Sequence, residues 1–206
     1  MKNETHEDRR VRKTKRSLRD CLVRLMKEKK IQDITVREIS EMADINRGTF
    51  YLHYKDIYDL LEHVESDFAG EFDAILNHYS AKELTNRPSL LFRELYPFIH
   101  ENADLITALM GAGGNINFEN KIKSIIQERA LGRWLELNYT ENLEELGAFL
   151  SYIVSGCTGL VQYWISTNFH ETPEKMAVLT EAFITRGIHV FEVPSSEENG
   201  LAVLKL

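Results

Sequence analysis

The stretch TVREISEMADINRGTFYLHYKDIYDLL, residues 35 to 61, holds three residues that can each start a helix: Thr35, Asn46 and Asp56. Thr35-Val36-Arg37-Glu38 has capping-box spacing, in which the hydroxyl takes the Glu38 amide and the Glu38 carboxylate reaches back. The helix it opens is short, with Val36, Ile39 and Ala43 inward, and Asp44-Ile45-Asn46 breaks it. Asn46 then caps a third helix running to about His53, and Asp56 caps a long fourth. Two short helices across a tight turn, the second rich in polar and aromatic residues, make a helix-turn-helix.

In that arrangement Val36, Ile39, Ala43, Ile45 and Phe50 hold the pair from inside, and Leu52 and Tyr54 are expected to pack with them. Arg47, Gly48, Thr49, Tyr51, His53 and Lys55 remain outside, and each suits a DNA groove. Arg47 can donate twice to a guanine edge or pair with phosphate, and Thr49 offers a hydroxyl and a methyl that suits thymine. Gly48 lets the helix start approach the duplex. Tyr51, His53 and Lys55 can donate to phosphate oxygens, as can the amide end of the second helix at Thr35. Tyrosine and phenylalanine this close together could also reflect core packing alone.

Upstream, Leu18, Leu22, Leu25 and Met26 form one face of a first helix from about Arg12 to Lys29, and the basic run Arg9 to Arg19 adds a salt-sensitive attraction for nucleic acid. Downstream, the fourth helix carries the stripe Leu60, Leu61, Val64, Phe68, Phe72, Ile75 and Tyr79. A fifth starts at Pro88, with Leu91, Leu95, Phe98 and Ile99, and a sixth covers Asp104 to Met110. GAGGN, residues 111 to 115, lacks the GK[ST] and the strand of a phosphate loop and reads as a turn. A seventh helix holds Phe118, Ile122, Ile125, Ile126, Leu131 and Trp134, an eighth is the uncharged segment 146 to 165, and a ninth begins at Thr172-Pro173 and ends near His189. No strand alternation is evident, so the fold class is all-α, with about nine helices.

Charge divides the chain. Residues 1 to 58 hold 15 Lys+Arg against 10 Asp+Glu, net +5, and the remainder holds 10 against 22, net −12, within an overall −7. A hydrophobic content of 43 % with 28 % charged residues fits a globular protein. Cys21 and Cys157, without a CxxC spacing, read as free thiols in a reducing compartment, here the cytoplasm. The N-terminus has no apolar run of a signal peptide or anchor. The segment 146 to 165, LGAFLSYIVSGCTGLVQYWI, is long enough to span a bilayer, but Ser151, Tyr152, Ser155, Thr158, Gln162 and Tyr163 would be costly against lipid. It is expected to be buried on most sides, in the core or against another subunit, with no membrane partner.

Residues 35 to 61 closely resemble the DNA-binding head of the TetR family of transcriptional regulators. The shared pattern is a threonine-capped second helix, an alanine before the turn, G-T-aromatic-Tyr-x-His-aromatic-Lys and a capped fourth helix. The resemblance covers roughly residues 10 to 70, with the motif at 35 to 54. It implies that Thr35, Arg47, Gly48, Thr49, Tyr51, His53 and Lys55 lie at DNA. Where the family often has a second lysine, this chain has Ile57, which puts one phosphate contact in doubt.

Residues 147 to 187, with GCTGLVQYWISTNFHETPEKM at their centre, are similar to the regulatory domain of the subgroup that includes regulators of dihydroxyacetone kinase operons. The resemblance implies an effector-binding and dimerisation domain over 71 to 192, followed by a mobile tail over 193 to 206, and a homodimer formed through the last two helices. Gly147, Ser151, Ser155 and Gly159 recur every four residues, a strip that permits close helix contact between subunits or within one chain. Phe72, Phe98, Asn102, Phe118, Trp134, Tyr152 and Trp164 are candidates to line an effector cavity, or are plain core.

Histidines 6, 53, 63, 78, 100, 170 and 189 form no local metal-ligand motif, and no nucleophile motif such as GxSxG occurs. No metal, cofactor or enzymatic activity is expected. The reading is a sequence-specific regulator, a repressor released from a palindromic double-stranded operator by an unknown small-molecule or protein effector. The alternatives are a helical ligand-binding or adaptor module, and an activator controlled by a protein partner.

Overall fold

In a computed structural model, which describes residues 9–110, 116–136 and 143–187, ten α-helices and no strand are found. They are α1 (Arg9–Glu28), α2 (Val36–Met42), α3 (Arg47–Tyr51), α4 (Ile57–Asn77), α5 (Ala81–Asn86), α6 (Ser89–Glu101), α7 (Ala103–Met110), α8 (Ile116–Glu136), α9 (Leu143–Ser166) and α10 (Pro173–Arg186), with a 3-10 turn at Ile31–Asp33. The expected GAGGN turn, the helix end near His189 and the tail from 193 lie outside the described residues.

The head is α1 to α3 packed on the start of α4. Leu18, Leu22 and Leu25 recur at helical spacing and are buried, whereas Arg9, Arg10, Arg12, Lys13 and Arg16 ahead of them are exposed. Asp44, at φ 53, takes the left-handed conformation that ends α2, and the Ile45 amide then donates to the Ser40 carbonyl at 3.0 Å. That closure lets Ile39 and Phe50, both fully buried, meet Leu18, Leu22 and Leu60 in one cluster.

α4 runs without a break from the head into the body, with Ile57 to Val64 serving the head core and Phe68, Phe72 and Leu76 the body core. It ends at Asn77, so Tyr79 lies beyond it. The sequence reading lacks α5, although Ser80 and Glu83 form a full capping box. In the body α6 pairs with α10, α8 with α9, and α7 lies against α1. Asp73 of α4 receives both Arg129 Nε at 2.7 Å and Nη2 at 2.8 Å from α8. After α9 the chain folds back at Asn168 and Phe169, and the Trp164 indole donates to the Glu171 carbonyl at 2.8 Å.

Within the single chain α9 is not buried on most sides, so core packing alone does not cover it. Glu144–Ser166 is long and apolar enough to cross a membrane, yet only 22 % of its apolar window is buried. Leu146, Leu150, Val154, Thr158 and Trp164 face inward; Phe149, Tyr152 and Tyr163 face out.

Candidate nucleic-acid interface

Three caps set the head's geometry. Thr35 Oγ1 accepts from the Glu38 amide at 3.3 Å, Asn46 Oδ1 from the Gly48 amide at 2.8 Å and Asp56 Oδ1 from the Asp59 amide at 2.9 Å. Glu38 also holds Lys29 Nζ at 2.5 and 2.6 Å, a hydrogen bond that, with a smaller one from the Thr35 backbone, lowers the Glu38 carboxyl below its ordinary range. That pair ties the end of α1 to the start of α2. Asp59 Oδ2 meanwhile accepts the Lys55 amide at 2.7 Å, fixing the junction between α3 and α4.

With the ends fixed, α3 and the turn that follows it divide their side chains. Phe50 and Tyr54 are buried with ring centroids 5.8 Å apart, and Tyr54 packs edge-on to His63 at 5.3 Å. Arg47, Gly48, Tyr51 and Lys55 are exposed, as is Thr35, while Thr49 and His53 are half-buried. The structure thus gathers all seven predicted residues around the α2–α3 unit.

Leu52 departs from the expectation that it packs, being 80 % exposed. Two residues on from Phe50 is about 200° around a helix, so a residue there faces away from Phe50. That rotation is the signal by which the sequence could have placed it. Ile57 is buried and Tyr58 beside it exposed, so at this junction Tyr58 offers a donor that Ile57 does not.

The predicted effector residues do not form one cavity. A small apolar cavity of about 50 Å³ lies among α4, α6, α7, α8, α9 and α10, with Phe72 in its wall beside Phe68, Phe92, Tyr96, Ile122 and Thr180. Its hydroxyls are paired: Tyr96 Oη and Thr180 Oγ1 are 2.5 Å apart, and Thr158 Oγ1 donates to the Val154 carbonyl at 2.9 Å. Burial pushes the Tyr96 phenol well above its ordinary value.

Phe98 and Phe118 pack around Phe68, at 4.9 and 5.8 Å, and are core. Trp164 is fully buried elsewhere, among Tyr96, His100 and Phe169. Tyr152 is 69 % exposed and lines a groove of about 350 Å³ between α9 and α10. Asn102 ends α6 and accepts from Arg19 Nη2 at 2.7 Å across a cleft between α1 and α7, where Lys27 also pairs with Asp104. The Trp134 side chain lies outside the described residues. Gly147, Ser151, Ser155 and Gly159 are all exposed, and a Cβ at Gly147 or Gly159 would meet nothing within 4 Å. Among the described residues no cluster of His, Cys, Asp and Glu could hold a metal ion.

Comparison with known proteins covers both halves. Residues 20–64 match the family described as bacterial regulatory proteins, tetR family, and residues 86–186 match the transcriptional regulator C-terminal region. The chain is 26 % identical over 169 residues to an uncharacterized HTH-type transcriptional regulator, YxbF, of Bacillus subtilis (strain 168). That match takes in 78 % of this chain but only 42 % of the relative's length.

Among solved structures, the fatty acid degradation regulator FadR from Bacillus halodurans superposes with a TM-score of 0.62 at 14 % identity, over 85 % of this chain and 96 % of that one. The dihydroxyacetone kinase operon activator DhaS gives 0.60 at 18 %, over 87 % and 98 %. FadR from Bacillus subtilis, in complex with stearoyl-CoA, gives 0.60 at 17 %, over 84 % and 99 %. At such identities the likeness is one of fold.

Proposed function

Because this chain belongs to the TetR family of transcriptional regulators, with the DNA-binding domain at its N-terminus, we propose that it is a homodimeric repressor of a palindromic operator. The observation that carries the reading is the division of residues 47 to 54, α3 and the turn after it, which buries Phe50 and Tyr54 and leaves Arg47, Gly48 and Tyr51 outward. In this reading residues 10 to 70 are the DNA-binding domain and 71 to 192 the effector-binding and dimerisation domain. Thr35, Arg47, Gly48, Thr49, Tyr51, His53 and Lys55 contact the duplex. The exposed strip Gly147, Ser151, Ser155 and Gly159 lets α9 pack closely on its counterpart, and two heads then span half-sites about one DNA turn apart.

The acidic body repels nonspecific DNA, so only the basic heads engage it. The protein works in the cytoplasm. An effector seated beside Phe72 widens the cavity, moves α4, and shifts the population away from the head spacing that fits the operator. The continuity of α4 from Ile57 in the head to Leu76 in the body supports that route.

Selection of binding sites from random duplexes by the purified protein tests the reading. The expected product is a palindrome bound more tightly than scrambled DNA at equal salt; no enrichment over input would sink it. A second reading, an activator answering to a protein partner, is favoured by the cavity size. About 50 Å³ is far below the roughly 300–1,000 Å³ of small-molecule sites. Transcription in vitro from the selected site separates the two by its sign.

A further inference from the structure

α3 contains a glycine that the fold does not require. Gly48 has no positive φ, and a Cβ built on it would meet only Asn46 Oδ1, at an ordinary 3.4 Å. Glycine weakens a helix relative to alanine, so its bare backbone is of use to something outside the chain. One turn later the Leu52 amide donates to the Gly48 carbonyl at 3.2 Å, which places both residues on one ridge of the helix. The Leu52 side chain, 80 % exposed, is the most exposed large apolar group among the described residues.

Around that ridge stand Arg47, Tyr51 and Lys55, all exposed, on the part of the chain with net positive charge. A partner that accepts cations at its edges and an apolar group at its centre is a DNA major groove. Its phosphates flank the base edges, and thymine alone presents a methyl there. We infer that Leu52 is a base-reading residue, laid against a thymine 5-methyl group in each half-site, with Gly48 clearing the ridge so that the leucine can reach it. This rests on the DNA-binding reading above. It assigns Leu52 to sequence choice, whereas Lys55 serves phosphate attraction.

The test uses the full chain and the selected operator, with each thymine replaced in turn by deoxyuridine, which lacks only the methyl. Wild-type protein is expected to lose about fourfold in affinity at one position per half-site, the factor that accompanies burial of a single methyl group. A Leu52→Ala variant, with helix content and oligomeric state checked, is expected to bind the thymine operator more weakly and to be indifferent to deoxyuridine at that position. Equal thymine dependence in the two proteins would overturn the inference while leaving DNA binding intact. So would a selected site that contains no sensitive thymine. Loss of self-association by Leu52→Ala would overturn it too, by giving the leucine to a protein contact. Failure of the wild type to select any site would instead bring down the DNA reading, and this inference with it.

Discussion

α3 and α9 both display aromatic residues to solvent, and they do so for different reasons. In α3 and the turn after it the inward groups Phe50 and Tyr54 anchor a five-residue helix that is too short to stand alone, and the outward groups are Arg47, Tyr51 and Lys55. In α9 the outward surface is wide and small-featured, with Gly147, Ser151, Ser155 and Gly159 exposed alongside Phe149 and Tyr152, and no basic residue lies in its last turn. The first pattern suits a charged partner met at a few points. The second suits a flat apolar partner met along several turns.

The comparison predicts that inward and outward substitutions separate stability from binding. The largest effect belongs to an inward group of α9. Trp164 is fully buried and donates to the Glu171 carbonyl, so Trp164→Ala should destabilise the chain by about 3–5 kcal/mol in denaturant unfolding. A loss within about 0.5 kcal/mol, the range of surface changes, would mean that α9 is not held by its inner face.

Next comes an outward group of α3. Tyr51 is 58 % exposed, so Tyr51→Ala should leave the unfolding midpoint nearly unchanged and weaken operator binding by about 1–3 kcal/mol in a gel-shift titration. Unaltered affinity would remove Tyr51 from the interface. Thr35→Ala sharpens the comparison, because Thr35 belongs to both classes. Loss of the bond to the Glu38 amide should cost about 1 kcal/mol of stability, and a further loss of operator affinity beyond that is the sign of a phosphate contact. If affinity follows stability alone, Thr35 is only a cap.

The head was legible because its geometry is local. Thr35, Asn46 and Asp56 each cap the helix that their position announces, and Phe50 and Tyr54 are four apart on one face. The exceptions have physical causes. Glu38 serves the Lys29 ammonium as well as its own helix end, and Leu52 looks like core by type but faces out by rotation. α5 carries its own announcement in Ser80 and Glu83, but the apolar stripe of α4 points on to Tyr79 and hides the break.

The body was less legible because its cavity is assembled from six helices whose mutual placement no short window encodes. Phe72 and Tyr152 are both aromatic residues on apolar helices. One lines the cavity and the other the outer groove, a difference set by which neighbours arrive.

The two cysteines carry the same comparison into pH dependence, with the smallest effect. Cys157 sits between the core cavity and the α9–α10 groove, and burial alone raises its thiol from an ordinary value of 9.0 to about 11. Cys21, in α1, is also raised by burial and by Asp20, but Arg24 and a hydrogen bond from Ser17 work against the shift. Between pH 9 and pH 11 the unfolded chain gives up its Cys157 proton while the folded chain keeps it. The folded state then binds more protons, so stability falls as pH rises through that window. Other groups titrate there as well, and the informative quantity is therefore the difference between variants. Cys157→Ala should flatten the alkaline decline in unfolding free energy, and Cys21→Ala should flatten it less, because charges of both signs offset one another at that thiol. Parallel curves for wild type and Cys157→Ala would show that the body opens around Cys157 before its thiol titrates, and that the inner face of α9 is looser than the packing of Trp164 implies.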